Sequence, residues 1–473
     1  MQKSCKATLS GHTLYGPLHG GFMSPHWRRI SSTENRPVAT LVGAGPAGLA
    51  PLIWAARTGV LESLAARGLV VVERAPTIGA GSLGDYAVGS DTLAETFLEC
   101  LGDGVEGRLQ ALAQHESAKL IASFRGGAAP LSVVGRFLRV LGSTMREVLT
   151  SHGVRILTRH SATASRRLSD GGWCTNLIDS DGRHQEIVST NLVLATGAAQ
   201  GMETIEREEI GNVPMLPFLS DKMMLSGDVL SHGGAARVAA KLAHRPAPKV
   251  AVIGGSHSAV TCANMLLNTG GAFAEQSVSL LHRRSLPLFY PSVEAARADG
   301  YADFTEDDVC PLTGRVFRLA GFHFEARALV RRTLAVGDAA PEPRLRLHRL
   351  AALGNDEEAW RILNEADLVI AALGYRPRAL DLTDSNSEEI KLAAHARPRA
   401  PLVDRRCRVL DQRLQPIAGL FGIGLAAGFV PSGDLGGEPS FMGQANGLWL
   451  WQNDIGAMIV SSLLGSEAAD VAA

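Results

Sequence analysis

Apolar residues in this chain fall into short uninterrupted runs that end on glycine or on a charged residue. Such runs lack the alternation of a half-buried strand and are typical of strands buried on both faces of a parallel sheet. The runs occupy residues 38–42, 68–72, 191–197, 249–253, 278–281 and 367–375. Two of them open into glycine-rich turns followed by helical sequence, so the pattern predicts an α/β fold.

The first run leads into a turn with the spacing of a dinucleotide-binding motif. Gly43 permits the tight turn, Gly45 lets the backbone approach a pyrophosphate, and Gly48 lets the next helix pack on the strand. Pro46 and Ala47 complete this turn, where the helix N-terminus offers N–H groups to phosphates. The next run ends in Glu73, and 73 − 48 = 25 residues is close to the about 20 expected for a ribose-binding carboxylate.

A second turn of the same kind comes after the run at 249–253. It reads Gly254-Gly255-Ser256-His257-Ser258-Ala259, with Ser256 at the second glycine position and Ala259 at the third. The next strand ends in Arg283-Arg284 instead of an acid, which suits a ribose 2′-phosphate and favours NADPH over NADH. The alternative for the arginine pair is an exposed loop charge. His257 is either a neighbour of the pyrophosphate or a residue that only begins the helix.

Further candidate contacts lie in the loops beyond the strands. The glycine-rich segment 74–86 predicts a long loop over the cofactor, with Arg74 and Ser82 in contact with it. Thr196-Gly197 ends another strand and should bring backbone N–H groups to the same dinucleotide. We expect Ser90 and Asp91 to contact substrate or nicotinamide. The alternative is that Asp91 only caps a helix beginning near Leu93.

The remaining pattern predicts how the chain is divided. Residues 133–150 have the spacing of an amphipathic helix, 154–193 form a small meander, 200–248 read as a linker, and 291–332 read as an irregular insertion facing the cleft. A late strand ending at Gly422-Ile423-Gly424, with a closing helix, should return to the first domain and bring Gly424 into contact with the cofactor. The predicted domains are an arm (1–36), an FAD domain (37–205), an inserted NAD(P)H domain (206–380) and the FAD-domain return (381–473).

Composition narrows the class of protein. A net charge of −1 gives no electrostatic footprint for nucleic acid or an anionic membrane. The six cysteines stand far apart and include no Cys-x-x-Cys pair, so free thiols in a reducing cytoplasm are expected and a dithiol redox centre is not. The start of the chain lacks the apolar core of a secretory signal. Residues 447–464 carry Gln452, Asn453 and Asp454, which favours a buried helix over a membrane span.

At these motifs the chain resembles the flavoproteins with two dinucleotide-binding domains, over nearly its whole length after the arm. Among them it is most similar to the class B flavin monooxygenases, especially the N-hydroxylating branch. The NADPH motif ending in Ser258-Ala259 and the strand with Asp367, Gly374 and Tyr375 carry this resemblance. Leu373 stands where that branch has threonine, and Ser256 replaces its second NADPH glycine.

The resemblance implies an FAD- and NADPH-dependent monooxygenase that oxygenates a small molecule with molecular oxygen through a C4a-(hydro)peroxyflavin, with N-hydroxylation of an amine as the specific form. Such a site needs a closed, dry cavity and few catalytic side chains, because the cofactor carries the chemistry. No metal-ligand or Ser/His/Asp constellation competes with this interpretation. The alternatives are an NADPH-dependent flavin reductase and a non-catalytic FAD-binding protein. Substrate identity and homo-oligomer formation are left open.

Overall fold

A computed structural model of the chain describes most of its residues. The described residues are 28–29, 36–102, 104–105, 107–269, 273–352, 354–378, 380–393, 402–431, 433–443, 451 and 453–465. The predicted N-terminal arm, residues 1–36, therefore lies outside the described residues apart from 28–29 and 36. The same holds for residues 447–450 and 452 of the late apolar stretch.

The first sheet has six strands, β2 (Ala39–Val42), β3 (Leu69–Glu73), β6 (Arg155–Thr158), β10 (Asn191–Leu194), β21 (Arg408–Leu410) and β22 (Pro416–Gly422). Their order across the sheet is β21-β22-β10-β2-β3-β6. All neighbours pair in parallel except β21 with β22. The central strand β2 is buried along its whole length, as its unbroken apolar pattern predicts.

The second sheet has five parallel strands, β14 (Met223–Leu225), β15 (Val250–Ile253), β16 (Val278–His282), β17 (Leu345–Arg349) and β18 (Leu368–Ala371). Their order across the sheet is β14-β18-β15-β16-β17. Every one of these strands lies in sequence between β10 and β21 of the first sheet. The predicted α/β fold with one dinucleotide-binding unit inserted into another is therefore confirmed, while the proposed boundaries at 37, 206 and 381 stay a prediction.

Smaller strand groups complete the sheets. A five-stranded sheet contains the predicted meander and consists of β1 (Arg28–Arg29), β7 (His160–Arg167), β8 (Trp173–Asp179), β9 (His184–Ser189) and β20 (Asp381–Thr383). Three two-stranded ribbons pair β4 (Gly89–Leu93) with β5 (Ala128–Pro130), β11 (Ala198–Ala199) with β19 (Arg376–Pro377), and β12 (Glu209–Ile210) with β13 (Val213–Pro214). The β11–β19 ribbon joins the two connections between the nucleotide-binding units.

Helices cover the two parallel sheets. They are α1 (Pro46–Arg57), α2 (Leu61–Ala66), α3 (Gly107–Ala111), α4 (Glu116–Ala122), α5 (Leu131–Ser151), α6 (Leu216–Leu219), α7 (Ser226–Leu230), α8 (Gly234–Leu242), α9 (His257–Asn268), α10 (Val293–Ala298), α11 (Phe324–Thr333), α12 (Glu357–Glu365) and α13 (Gly456–Leu464). The predicted amphipathic helix at 133–150 is α5. Helix α13 packs on α1, and the Trp451 indole donates to the Pro46 carbonyl at 2.7 Å. In the described part of the chain, no helix has the length and apolar character needed to cross a bilayer.

Three local expectations are wrong. A helix does begin near Leu93, since a 3-10 helix spans Ala94–Leu101, but residues 90–92 do not cap it. They belong to β4, because β5 and the residue before it offer hydrogen-bond partners, including Gly127 O for Ala94 N at 2.9 Å. The predicted linker at 200–248 contributes β14 to the second sheet and folds into α7 and α8. The insertion at 291–332 is not irregular throughout, since α10 and most of α11 lie in it.

Candidate cofactor and substrate site

One large cavity, about 1350 Å³, lies where the carboxyl end of the first sheet faces α9 and the start of α11. This is the position at which open α/β sheets bind ligands. The residues predicted from sequence that line it are Gly43, Gly45, Pro46, Ala47, Glu73, Arg74, Ser82, Ser90, Asp91, Thr196, Gly197, His257 and Ser258. The cavity thus brings the first turn, the loop after Glu73 and the start of α9 into one space.

The three glycines of the first turn are required for different reasons. Gly43 has φ +94°, and a Cβ there would lie 2.3 Å from the Ala195 carbonyl oxygen. A Cβ on Gly48 would lie 2.0 Å from the Gly43 oxygen. A Cβ on Gly45, by contrast, would have its nearest protein neighbour at 3.4 Å, which is ordinary contact. The fold therefore tolerates a side chain at position 45, and the glycine there fits the close approach of a pyrophosphate.

Glu73 is a buried carboxylate at the end of β3. Its two oxygens accept hydrogen bonds from Ala44 N at 2.7 Å and Ala75 N at 2.8 Å, and the side chain lines the cavity. A carboxylate offers about four lone-pair sites, so acceptor capacity remains for two ribose hydroxyls. The two hydrogen bonds from backbone N–H groups hold the carboxylate at the cavity wall, and the residues of this half of the cavity fit the ribose of an FAD.

The strand end at Thr196-Gly197 closes the floor of the cavity. The Thr196 hydroxyl donates to the Arg378 carbonyl at 2.5 Å, and Arg378 N donates to the Gly197 carbonyl at 3.0 Å. Gly197 has φ +71°, a left-handed conformation that favours glycine. Gly424 lies outside the lining; its Cβ position would be 2.4 Å from the Ala47 Cβ, so this glycine lets the return segment pack on the first turn.

The second turn is built like the first but faces the cavity only through the beginning of α9. Gly254 has φ +142°, and a Cβ there would lie 2.4 Å from the Ala372 carbonyl oxygen. Ala259 is fully buried at the packing position. Ser256 is the N-cap of α9, yet its side chain makes no capping hydrogen bond and it is exposed. The N-terminal N–H groups of α9 are thus left for a phosphate.

The two arginines after β16 differ in availability. Arg283 donates to the Glu209 carbonyl at 2.8 Å and lies 3.6 Å from the Glu208 carboxylate. The Arg284 guanidinium is exposed and has no partner among the described residues, and its backbone borders Gly255 in the turn. Both lie outside the cavity lining, on the surface beside the turn. Arg284 is therefore the arginine that remains free for a 2′-phosphate.

Ser90 and Asp91, the predicted substrate contacts, both line the cavity but differ in what they offer. Ser90 is buried, and its hydroxyl donates to the Thr92 carbonyl at 2.5 Å within β4. Asp91 is exposed and close enough to His257 and His323 that its charge opposes the loss of their protons. Asp91 is thus placed for interaction with a ligand, whereas the Ser90 hydroxyl is already used.

Two histidines meet where α9 and α11 begin. The rings of His257 and His323 lie 6.2 Å apart, and His257 also packs on Phe322 at 4.9 Å. Burial lowers the pKa of His257, and burial followed by the neighbouring His257 lowers the pKa of His323 to about 4, against the opposing effect of Asp91. The buried Nε2 of His257 has no hydrogen-bond partner within the described residues. Because an unsatisfied buried nitrogen is costly, this atom marks a place for a ligand.

Sequence reasoning did not single out the polar wall of the cavity. Helix α9 turns Ser258, Thr261, Asn264 and Asn268 toward it, at the spacing of one helix face. His323 and Glu325 join them from the start of α11, and Asn264 donates to the Glu325 carboxylate at 3.3 Å. The signal was present as a polar stripe of Thr261, Asn264 and Asn268 at i, i+3 and i+7, in a helix whose residues after Ser258 are otherwise apolar. Tyr86 and Tyr375, whose hydroxyls lie 2.6 Å apart, bridge the two units at the cavity edge.

Comparison with known proteins places this architecture in a family. The model of the pyridine nucleotide-disulphide oxidoreductase family matches residues 39–424. A CMP-5'-(3-aminopropyl)phosphonate hydroxylase from Streptomyces rubellomurinus is 32% identical over 447 residues, covering 91% of this chain and 98% of that protein.

Solved structures agree on the fold. The ornithine N-hydroxylase of Kutzneria sp. 744 is 16% identical with a TM-score of 0.52, over 92% of this chain and 100% of that one. The L-lysine 6-monooxygenase of Pseudomonas syringae is 15% identical with a TM-score of 0.53, over 91% and 100%.

The chain belongs to the pyridine nucleotide-disulphide oxidoreductase family. Within it, the chain is an oxidoreductase whose nearly full-length relative is a hydroxylase, and it shares its fold with N-hydroxylating monooxygenases.

Proposed function

We propose that this protein N-hydroxylates the primary amine of a small molecule that is joined to a cytidine nucleotide. The observation that carries the proposal is the relative that hydroxylates CMP-5'-(3-aminopropyl)phosphonate, because the similarity runs through nearly the full length of both chains. Its substrate combines an amine with a nucleotide, so one compound must reach the flavin at one end and be held by the protein at the other.

The cofactors supply electron transfer and oxygen activation when bound, and the chain's own residues position and protect the reactants. Glu73 and the turn at Gly45 would hold FAD, and the start of α9 with Arg284 would hold NADPH. Both cofactor sites border the Asp91–His257–His323 group across the cavity. We propose that the substrate amine lies beside this group.

A protonated amine has no lone pair for attack on oxygen. Burial disfavours the charged forms of His257 and His323, which leaves their imidazoles as acceptors for the amine N–H, and the carboxylate of Asp91 partly offsets the cost of placing a proton on them. The unpartnered Nε2 of His257 is the atom we propose for this step. Asp91 stabilises the resulting imidazolium by its charge.

The assay compares three amines with FAD-loaded protein, NADPH and oxygen: a CMP-linked aminoalkylphosphonate, the same aminophosphonate without the nucleotide, and ornithine. Hydroxylated product is measured by mass spectrometry alongside NADPH consumption. We expect product that matches NADPH consumption for the CMP-linked amine. NADPH consumption that yields hydrogen peroxide and no oxygenated amine with any of the three would support the reductase alternative.

We also propose that the protein works in the cytoplasm. The described cysteines Cys100, Cys174, Cys262, Cys310 and Cys407 are all buried and form no disulfide with one another. Free thiols persist in a reducing compartment. Fractionation of the producing cells, with a cytoplasmic marker enzyme as control, tests this directly.

A further inference from the structure

Helix α9 lines the cavity from His257, at its first turn, to Asn268, its last residue. Asn264 follows His257 by seven residues and Asn268 by eleven, which places them about 10 Å and about 16 Å along the helix axis. Both asparagines line the same cavity as His257 and Asp91. A ligand whose amine lies at the histidines can therefore extend along α9 as far as the asparagines.

At the far end of this wall, Asn268, Asn264 and Glu325 are linked by two side-chain hydrogen bonds. The Asn268 amide donates to Asn264 Oδ1 at 3.1 Å, and the Asn264 amide donates to Glu325 Oε2 at 3.3 Å. Each amide nitrogen has a second N–H, and the Oε1 atom of Glu325 accepts no hydrogen bond from the described residues. Asn268 and Glu325 are exposed to the cavity. The wall thus presents one anionic acceptor beside amide donors.

The negative charge of Glu325 on this wall disfavours a ligand that carries a carboxylate there. Among the described lining residues the arginines are Arg74, after β3, and Arg378, in the connection after β19, and α9 and α11 contribute no lysine or arginine to the lining. A free amino acid would bring its carboxylate to Glu325 without a cation to neutralise it. An uncharged group with an N–H donor next to an acceptor fits instead.

We propose that Glu325, Asn264 and Asn268 bind the cytosine base of a nucleotide-linked amine, an inference that rests on the proposed function. Cytosine presents an exocyclic amino donor beside ring acceptors, and carboxylates accept from that amino group. Glu325 Oε1 accepts from the amino group, and the free N–H groups of the asparagines donate to the ring acceptors. Phe324, next to Glu325 in the lining, supplies an apolar face for the ring.

The same geometry rejects uracil. Uracil has a carbonyl oxygen where cytosine has its amino group, so that oxygen would face the Glu325 carboxylate. Replacement of the carboxylate by an amide removes the repulsion and offers a donor. A specific base contact of this kind changes affinity by about tenfold to a hundredfold. Glu325→Gln should therefore shift the preference from CMP toward UMP.

The experiment measures the dissociation constants of CMP and UMP by calorimetry. It uses full-length, FAD-loaded protein saturated with NADP⁺, so that neither nucleotide binds at a cofactor site. We expect the unsubstituted protein to bind CMP at least tenfold more tightly than UMP, E325Q to lose or reverse that ratio, and N264A to weaken CMP. The control is Glu357→Gln, which changes an exposed glutamate in the first turn of α12 and should leave the ratio unchanged.

The outcomes separate the base site from the proposed function. A CMP preference that persists in E325Q places the base elsewhere and overturns the inference, whatever the amine assay gives. Equal binding of CMP and UMP by the unsubstituted protein also overturns it. A raised KM for NADPH in E325Q with an unchanged CMP:UMP ratio assigns this wall to the cofactor. If the ratio shifts as expected while no amine is hydroxylated, the base site stands and the proposed reaction fails.

Discussion

The two nucleotide-binding turns share one backbone plan and differ in the residues at the end of the next strand. Strand β3 ends in Glu73, a buried acid held by two amide hydrogen bonds inside the cavity. After β16 come Arg283 and Arg284, both exposed and outside the cavity lining. An enclosed acid suits a ribose that stays bound, and exposed basic groups suit a phosphate that arrives and leaves with each turnover. We infer that the residues after the second strand of each unit, Glu73 in the first and Arg283 and Arg284 in the second, are what fit one turn to FAD and the other to NADPH.

The largest effect that would sharpen this contrast is expected at Glu73. Glu73→Gln replaces one acceptor oxygen by an amide that faces a backbone N–H, and it removes charge-assisted bonds to the ribose, each worth about 1.5–3 kcal/mol. FAD should bind on the order of a hundredfold more weakly. Equilibrium dialysis with flavin fluorescence measures this. An unchanged FAD affinity would remove Glu73 from the ribose site.

Gly45 tests whether the first turn is shaped by its ligand. Gly45→Ala has room within the protein, so the free energy of unfolding of the FAD-free form should stay unchanged. FAD affinity should fall about tenfold or more, because overpacking a tight contact costs about 1–3 kcal/mol. The matched control is Gly127→Ala, whose Cβ would also meet ordinary contacts. Loss of stability without loss of FAD affinity would contradict this interpretation.

In the second unit we expect Arg283 and Arg284 to contribute unequally to NADPH binding. Arg284→Ala should raise the KM for NADPH about tenfold and leave the KM for NADH unchanged, since a charged hydrogen bond to the 2′-phosphate is lost. Arg283→Ala should have a clearly smaller effect, because that guanidinium is held by Glu208 and the Glu209 carbonyl. Steady-state NADPH and NADH oxidation measures both. Equal effects of the two substitutions would contradict the assignment.

A further prediction concerns His257 and His323, which face the first unit across the cavity. An unfolded histidine binds a proton below about pH 6.5, whereas burial lowers the pKa of folded His323 to about 4. Above pH 6.5 His323 is neutral in both states and does not affect folding. Between pH 6.5 and 4 the unfolded state binds the proton first, so the free energy of unfolding falls by at most about 1.4 kcal/mol per pH unit. His257, Asp91 and Arg327 also face this ring.

His323→Gln should make the melting temperature less dependent on pH between 6.5 and 4 than in the unsubstituted protein. The control is His244→Gln, at an exposed histidine after α8. Parallel melting curves across this pH range for the H323Q variant and the unsubstituted protein would contradict the assignment.

The sequence predicted the local structure well at positions where only one residue type is sterically possible. Gly43, Gly48 and Gly254 are dictated by backbone contacts, so both turns could be predicted from their spacing, and the apolar runs beside them predicted the central strands of both sheets. Segment 89–93 could not, because whether Ser90 and Asp91 cap a helix or form a strand depends on the distant edge at 128–130.

In the candidate site, the cofactor-binding turns could be predicted from sequence, whereas the polar wall of the cavity could not. Cofactor turns are local, and their residues were found. The wall of Asn264, Asn268 and Glu325 exists only because α11 packs on α9, a contact between residues about sixty positions apart. In the same way, Arg283 and Arg284 are equivalent in sequence and become different only when Glu208 folds against one of them.

The central claim, that two cofactors meet in one cavity to oxygenate an amine, is tested most directly by stepwise mixing. FAD-loaded protein is reduced anaerobically with NADPH, and with NADH in parallel, and oxygen is then added with the CMP-linked amine. The account predicts fast reduction by NADPH, slower reduction by NADH, and hydroxylated amine in proportion to the flavin reoxidised. Reoxidation with peroxide alone would contradict the oxygenase, and failure of NADPH to reduce the flavin would contradict the enzyme altogether.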